Sequence, residues 1–206
     1  MPGVVWVFEV KHSQKALHEK ALKMGAIPTT KYKVDHLMYR PTRKESGIQP
    51  VSLLHHSRFP MSTFSIGPRI DGKQSVCISD RGFDLIMPKL KVGLTPDHAG
   101  FFEVNGQEYT LNDFFIRVGV ASMAHTTTKG TVVEIEFHPS AIVTNVLPLL
   151  LSFAQQFLDD NIKRSAAYFK QQKRSTNFGA QDILAQYLDV FTEMRRRSTV
   201  TGLSAF

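Results

Sequence analysis

Asn112-Asp113-Phe114-Phe115-Ile116-Arg117-Val118-Gly119-Val120-Ala121-Ser122-Met123 leads through a polar link, Ala124 to Lys129, and through Gly130 into Thr131-Val132-Val133-Glu134-Ile135-Glu136-Phe137-His138. Two runs rich in β-branched and aromatic residues around Thr, His, Lys and Gly predict a long antiparallel hairpin. In the second run Val133, Ile135 and Phe137 point one way, and Val132, Glu134 and Glu136 the other. In the first run Phe114, Ile116, Val118 and Val120 share one face. The opposite face carries Phe115, Arg117, Gly119, Ala121 and Met123, a mixture that matches neither a core nor a solvated surface. Phe115 and Met123 need cover, and Gly119 and Ala121 leave room for a close approach.

Outward from this hairpin, the chain reads as many short strands with helices at intervals. Val4 to Val10 is a strand apolar on both faces, which predicts cover on both sides. Ser13 caps a helix with Ala16, Leu17, Lys20, Ala21 and Met24 as its stripe, and Gly25 stops it. Ile27 to Tyr39 is extended, and Pro41 to Pro50 is a polar loop and the candidate mobile segment. Strand patterns recur at Val51 to His55, Thr63 to Ile66 and Gln74 to Ser79, with a turn at Asp71-Gly72. Asp80 caps a short helix that Pro88 limits. Phe101 to Val104 and Gln107 to Leu111 read as a tight hairpin over Asn105-Gly106. Beyond the large hairpin, Thr144 or Asn145 caps a helix with Pro148 in its first turn and Leu147, Leu150, Leu151, Ala154, Phe157 and Leu158 on its apolar face. Residues 160–178 form a basic connector. A last helix spans Ala180 to Arg197, with Ile183, Leu184, Tyr187, Leu188, Phe191 and Met194 as its stripe, and Ser198 to Phe206 is a flexible tail. This order predicts an α+β fold: an antiparallel β-barrel-like sheet flanked by a few helices, in one domain over residues 1–206.

Composition narrows the function classes. At 206 residues, with 42% apolar and 21% charged, the chain can build a core without staples. The single cysteine, Cys77, forbids an internal disulfide and favours a reducing compartment. Its setting, Val76-Cys77-Ile78, reads as a small buried hydrophobe. No apolar run is long enough to span a bilayer, and the start lacks the basic lead of a signal peptide. The net charge of +7 fits an acidic partner or a nuclear setting. Lys163, Arg164, Lys170, Lys173 and Arg174 with Tyr168 and Phe169 give the connector some single-strand-binding character, but they sit on no recognisable nucleic-acid module, so specific nucleic-acid binding is not expected.

No catalytic constellation stands out. Glu134 and Glu136 share a strand face, and such a pair inside a barrel could hold a divalent metal. The pair reads instead as the solvated face of an amphipathic strand, because no other strand supplies the further inward charges a metal tunnel needs. His55 and His56 point to opposite faces and cannot ligate one metal. There is no zinc spacing, no G-x-S-x-G elbow and no glycine-rich phosphate loop. The expectation is an interaction protein without cofactor. Only one face of a strand looks into a barrel, so Phe115 and one of Phe101 or Phe102 need cover from outside. That makes Phe101, Phe102, Phe115, Gly119, Ala121 and Met123 the partner-interface candidates, with the chain's own helices as the competing cover.

Three blocks carry a resemblance. The first is Leu53-Leu54-His55-His56-Ser57-Arg58-Phe59-Pro60, Thr63-Phe64, Phe83-Asp84-Leu85-Ile86-Met87 and Lys89-Leu90-Lys91. The second is Asp113-Phe114, Val118-Gly119, Met123, Val133-Glu134-Ile135-Glu136-Phe137, Leu149-Leu150-Leu151 and Phe157-Leu158. The third is Gln186-Tyr187-Leu188, Phe191 and Arg195. In this order they resemble the Mediator complex subunit 20 family, from the head module of the RNA polymerase II coactivator. The sequence departs from that family at His56 and Arg58, where members commonly have Asn and an acidic residue. The resemblance implies a helix-flanked β-barrel in the nucleus, without catalysis. It implies pairing with the related barrel of Mediator subunit 18, tethering to the rest of the head module by subunit 8, and indirect contact with the RNA polymerase II machinery. Such a barrel is similar in shape to triphosphate-tunnel enzymes. The alternative is therefore a metal-dependent phosphohydrolase using Glu134 and Glu136.

Overall fold

The computed structural model describes residues 2–43, 47–71, 73–89, 93–158 and 177–203. The middle of the loop expected at Pro41 to Pro50, nearly all of the 160–178 connector with its cations and aromatics, and residues 204–206 of the expected tail lie outside the described residues. The elements run β1 (Val4–Val10), α1 (Gln14–Lys23), β2 (Ile27–Pro41), β3 (Val51–His56), β4 (Ser62–Ile70), β5 (Lys73–Asp80), α2 (Phe83–Ile86), β6 (Leu94–Pro96), β7 (Phe102–Leu111), β8 (Phe114–Met123), β9 (Thr127–Phe137), α3 (Val143–Leu158) and α4 (Ala180–Leu203). The strand order is β1-β9-β8-β7-β2-β3-β4-β5, with β6 beside β2. This is the expected α+β class, an antiparallel barrel-like sheet with helices. By contact the chain divides into two compact units. The first holds Met1–Lys31, Gly106–Val120 and Gly130–Val190, and the second Tyr32–Asn105, Ala121–Lys129 and Phe191–Phe206.

In the first unit β1 pairs with β9 from Val4↔Phe137 to Val10↔Thr131. Paired residues share a face, so Val5 and Val7 lie beside Glu136 and Glu134, while Val4, Trp6 and Phe8 lie beside Phe137, Ile135 and Val133. Val4 through Val7 are all buried, as a strand covered on both sides requires. The aromatic side of β8 is covered by α3: Phe114 stacks on Phe153 at 3.9 Å and 9°, and lies 5.3 Å from Phe137. The hydroxyl of Ser13 accepts from the Ala16 N–H at 3.2 Å and starts α1 as expected, and Gly25 at φ +86° ends its turn.

The second unit is built on the ladder β2-β3-β4-β5. Leu54 pairs with both His36 and Phe64, and Phe64 pairs with Ile78. Tyr39, Leu53 and Met87 form one buried cluster within it.

Several expectations are corrected. Asn105-Gly106 is not a turn: β7 runs straight through it, and the reversal lies at Asn112-Asp113, where Asn112 adopts φ +50°. Two turn-forming dipeptides compete there, and the strand register decides between them. Extension through Gly106 places Glu108 on the face of Phe102 and Val104, where it meets Arg117 at 2.6 Å, and leaves Tyr109 to meet His18 on the other. The β8–β9 link is shorter than Ala124 to Lys129. Ala124 and His125 both take positive φ, +50° and +63°, and the Thr126 N–H donates to the Met123 carbonyl at 3.3 Å. That is the mirror-type hairpin turn, made here without glycine. Asp80 ends β5 instead of capping α2, which starts behind Gly82 without a side-chain cap. Pro148 lies inside α3, which starts earlier than expected, at Val143, and α4 continues past Arg197 to Leu203. Cys77 is exposed, not buried.

Candidate interaction site and a buried charge cluster

The largest departure from the sequence reading lies on β9. Glu134 and Glu136 are 0% exposed, so they are not a solvated face. Arg117 on the facing side of β8 is buried with them. Its Nη1 donates to Glu134 Oε1 and, at 3.2 Å, to Glu136 Oε2, while its Nε donates to Glu108 Oε2 at 2.6 Å. The second oxygens are engaged as well. Glu134 Oε2 accepts from the Tyr187 hydroxyl of α4 at 2.7 Å, Glu136 Oε1 from the Gly3 N–H at 2.9 Å, and Glu108 Oε1 from the Thr29 hydroxyl at 2.9 Å. Burial by itself would lower the Arg117 pKa, but Glu134, Glu136 and Glu108 outweigh it and hold it above its ordinary value. Other strands thus do supply inward charges, Glu108 from β7 and Arg117 from β8. A guanidinium stands where the phosphohydrolase reading would place a cation. Among the described residues no group of three His, Cys, Asp or Glu side chains could hold a metal ion.

Helix α4 supplies the cover for this face. Next to Tyr187, the Gln186 side-chain amide accepts from the Val7 N–H at 2.9 Å and donates to the Val5 carbonyl at 3.0 Å. Strand β1 ends the sheet, and one glutamine amide engages two of its outer backbone groups as a further strand residue would. Gln186 and Tyr187 stand in the third block of the resemblance, but only the fold shows what they do.

The six candidate interface residues separate. Phe115 and Gly119 belong to the first unit, and Phe101, Phe102, Ala121 and Met123 to the second. Phe102 is buried and stacks on Phe191 of α4 at 5.1 Å, with the Arg195 guanidinium 5.9 Å from its ring, so its cover is the chain's own. Gly119 and Ala121 are buried. Phe101, Phe115 and Met123 are half-buried. Phe101 lies 4.5 Å from His125 and accepts from the Ala124 N–H at 2.9 Å, which brings it to the turn that follows Met123. Phe115 meets His138 edge-on at 5.3 Å and has Arg117 5.7 Å from its ring.

A second buried polar group lies in the second unit. The His36 ring stacks on Phe191 at 5.7 Å and shares a 3.0 Å hydrogen bond with Ser52 through Nε2. Its Nδ1 is buried without a hydrogen-bond partner among the described residues. Burial, and then the Arg195 charge, lower the His36 pKa from 6.5 to about 3. Arg195 itself donates to the Gly100 carbonyl and, at 3.5 Å, to Asp97 Oδ2.

An antiparallel barrel-like sheet with helices, carrying a buried charge cluster on β7, β8 and β9, defines the fold class. The family model for the "TATA-binding related factor (TRF) of subunit 20 of Mediator complex" matches residues 2–192. Mediator of RNA polymerase II transcription subunit 20 of Caenorhabditis briggsae is 34% identical, covering 95% of this chain and 100% of that protein. The protein of the same name from Anopheles gambiae is 30% identical, over 88% of this chain and 87% of its own. A chain in the structure of the Schizosaccharomyces pombe Mediator head module is similar at a TM-score of 0.40 and 12% identity, covering 77% of this chain and 95% of that one. The protein belongs to the Mediator subunit 20 family. Among the described residues no helix is long and apolar enough to cross a membrane.

Proposed function

We propose that this chain is a non-enzymatic structural and interaction subunit of the Mediator coactivator. It works in the nucleus, pairs directly with Mediator subunit 18, joins the rest of the head module through subunit 8, and supports regulated RNA polymerase II transcription. The family match over residues 2–192 carries this reading. The charge cluster supports its non-catalytic side. Glu134 and Glu136 have no exposure to solvent, and Arg117 fills the space between them. A phosphohydrolase would need those carboxylates open to metal and substrate. Co-expression of the tagged full chain with subunits 18 and 8 of its own organism tests the reading. The expected result is stoichiometric co-elution in size-exclusion chromatography. Elution of the chain alone, with subunits 18 and 8 together in a separate peak, overturns it.

A further inference from the structure

The two ends of the sheet are finished differently. On strand β1 the Gln186 side chain takes up two outer backbone groups, the Val7 N–H and the Val5 carbonyl. Strand β5 is the other end, and among the described residues no strand pairs with its outer side. Edge strands in proteins that stay apart are usually short, charged, bulged or covered, because bare backbone donors and acceptors recruit another strand. The middle of β5, Ser75-Val76-Cys77-Ile78-Ser79, carries no charge and no proline.

Its side chains continue the core outward and then leave it uncovered. Leu54 of β3 pairs with Phe64 of β4, which pairs with Ile78 of β5, and exposure along that row goes from 0% to 1% to 51%. In the next row Ser52 pairs with Ile66 and Ile66 with Val76, at 5%, 1% and 38%. Val76 and Ile78 therefore stand on the same sheet face as buried Phe64 and Ile66. Among the described residues they lack a neighbouring strand on the open side. The chain leaving β5 adds exposed Leu85 and Ile86 of α2, and exposed Met61 lies at the same end, where its carbonyl accepts from the Arg81 N–H at 3.0 Å.

We infer that β5 is a docking edge for an extended segment of a partner chain, which joins the sheet as a further strand and sets alternate apolar side chains beside Val76 and Ile78. The backbone chemistry selects the occupant. A row of alternating N–H and C=O groups is satisfied along its length by another strand, whereas a helix would cover the side chains and leave the row unpaired. The inference deepens the proposed function, because it gives the assembly subunit a specific docking surface, and it rests on that reading for the partner used to test it.

Cys77, the only cysteine, is exposed in the middle of the strand and reports on it directly. The full chain alone and its co-expressed assembly with subunits 18 and 8 are compared by hydrogen–deuterium exchange and by maleimide labelling of Cys77. The expected result is that β5 amides exchange, and Cys77 labels, at least about tenfold more slowly in the assembly. The V76K/I78K variant, altered at half-open positions, should melt within about 3 °C of the wild-type chain and lose capture of the assembly. An assembly that forms with β5 as open as in the free chain overturns this inference and leaves the proposed function standing. Failure of any assembly to form overturns both. Protection of Cys77 in the free chain that grows with its concentration names a second copy as the occupant and overturns the partner strand.

Discussion

Replacing Arg117 by methionine is expected to destabilise the protein by about 3–5 kcal/mol at neutral pH. Arg117 donates to Glu108, Glu134 and Glu136, and it is 3% exposed. Methionine fills much of the same volume, so lost packing is a minor part of the effect. The main part is that Glu134 and Glu136, both fully buried, lose the guanidinium they share. The Tyr187 hydroxyl, the Gly3 N–H and the His138 ring, 3.5 Å from Glu136 Oε1, do not replace the two-way contact that Arg117 makes with both carboxylates. Urea denaturation of the full chain measures the loss. The triple variant R117M/E134Q/E136Q should recover most of it, because neutral amides in the same places leave no buried charge unpaired. A loss below about 1 kcal/mol for the single variant would show that the carboxylates reach water in solution.

Acid is expected to weaken the protein through His36. In the unfolded chain its pKa is 6.5, and in the fold it falls to about 3. Between those values the unfolded state binds a proton that the folded state refuses, so unfolding is favoured as pH falls. The His36 contribution is complete above pH 6.5 and is lost downward through the window from 6.5 to about 3, at roughly 1.4 kcal/mol per pH unit. At pH 5 the loss from this one group is about 2 kcal/mol. His36→Phe keeps an aromatic ring against Phe191 and removes the nitrogen that has no partner among the described residues. Denaturation of the wild type and the variant at pH 7 and pH 5 isolates the effect, because the other titrating groups are common to both. Equal acid sensitivity in the two would show that His36 is solvated in the folded state.

The hairpin of β8 and β9 was legible because alternation with a period of two has few other meanings. The same pattern misled at Glu134 and Glu136. Alternating carboxylates describe a wet strand face and a buried ion network equally well, and only a partner distinguishes them. That partner is visible as Arg117, a single charge among Phe115, Gly119 and Ala121, but its pairing with β9 depends on register that the local pattern does not encode. Tyr187 and Gln186 were legible as part of a helix stripe and a family block. Their contacts with Glu134 and with β1 join residues far apart in sequence, which no local pattern encodes. Val76-Cys77-Ile78 failed for a related reason. An apolar run of that length suits a central strand or a bare edge, and topology alone made it the edge. Among the interface candidates, Phe102 took its cover from Phe191, while Phe101, Phe115 and Met123 stay half-buried.

The most direct test of a scaffold role, with the β8–β9 charges serving structure, is incubation of the purified full chain with nucleoside triphosphate and manganese. The expected result is no release of phosphate above a protein-free control. Turnover that disappears in Glu134→Gln, with the variant still folded, would contradict it and place catalysis on the very carboxylates assigned here to Arg117.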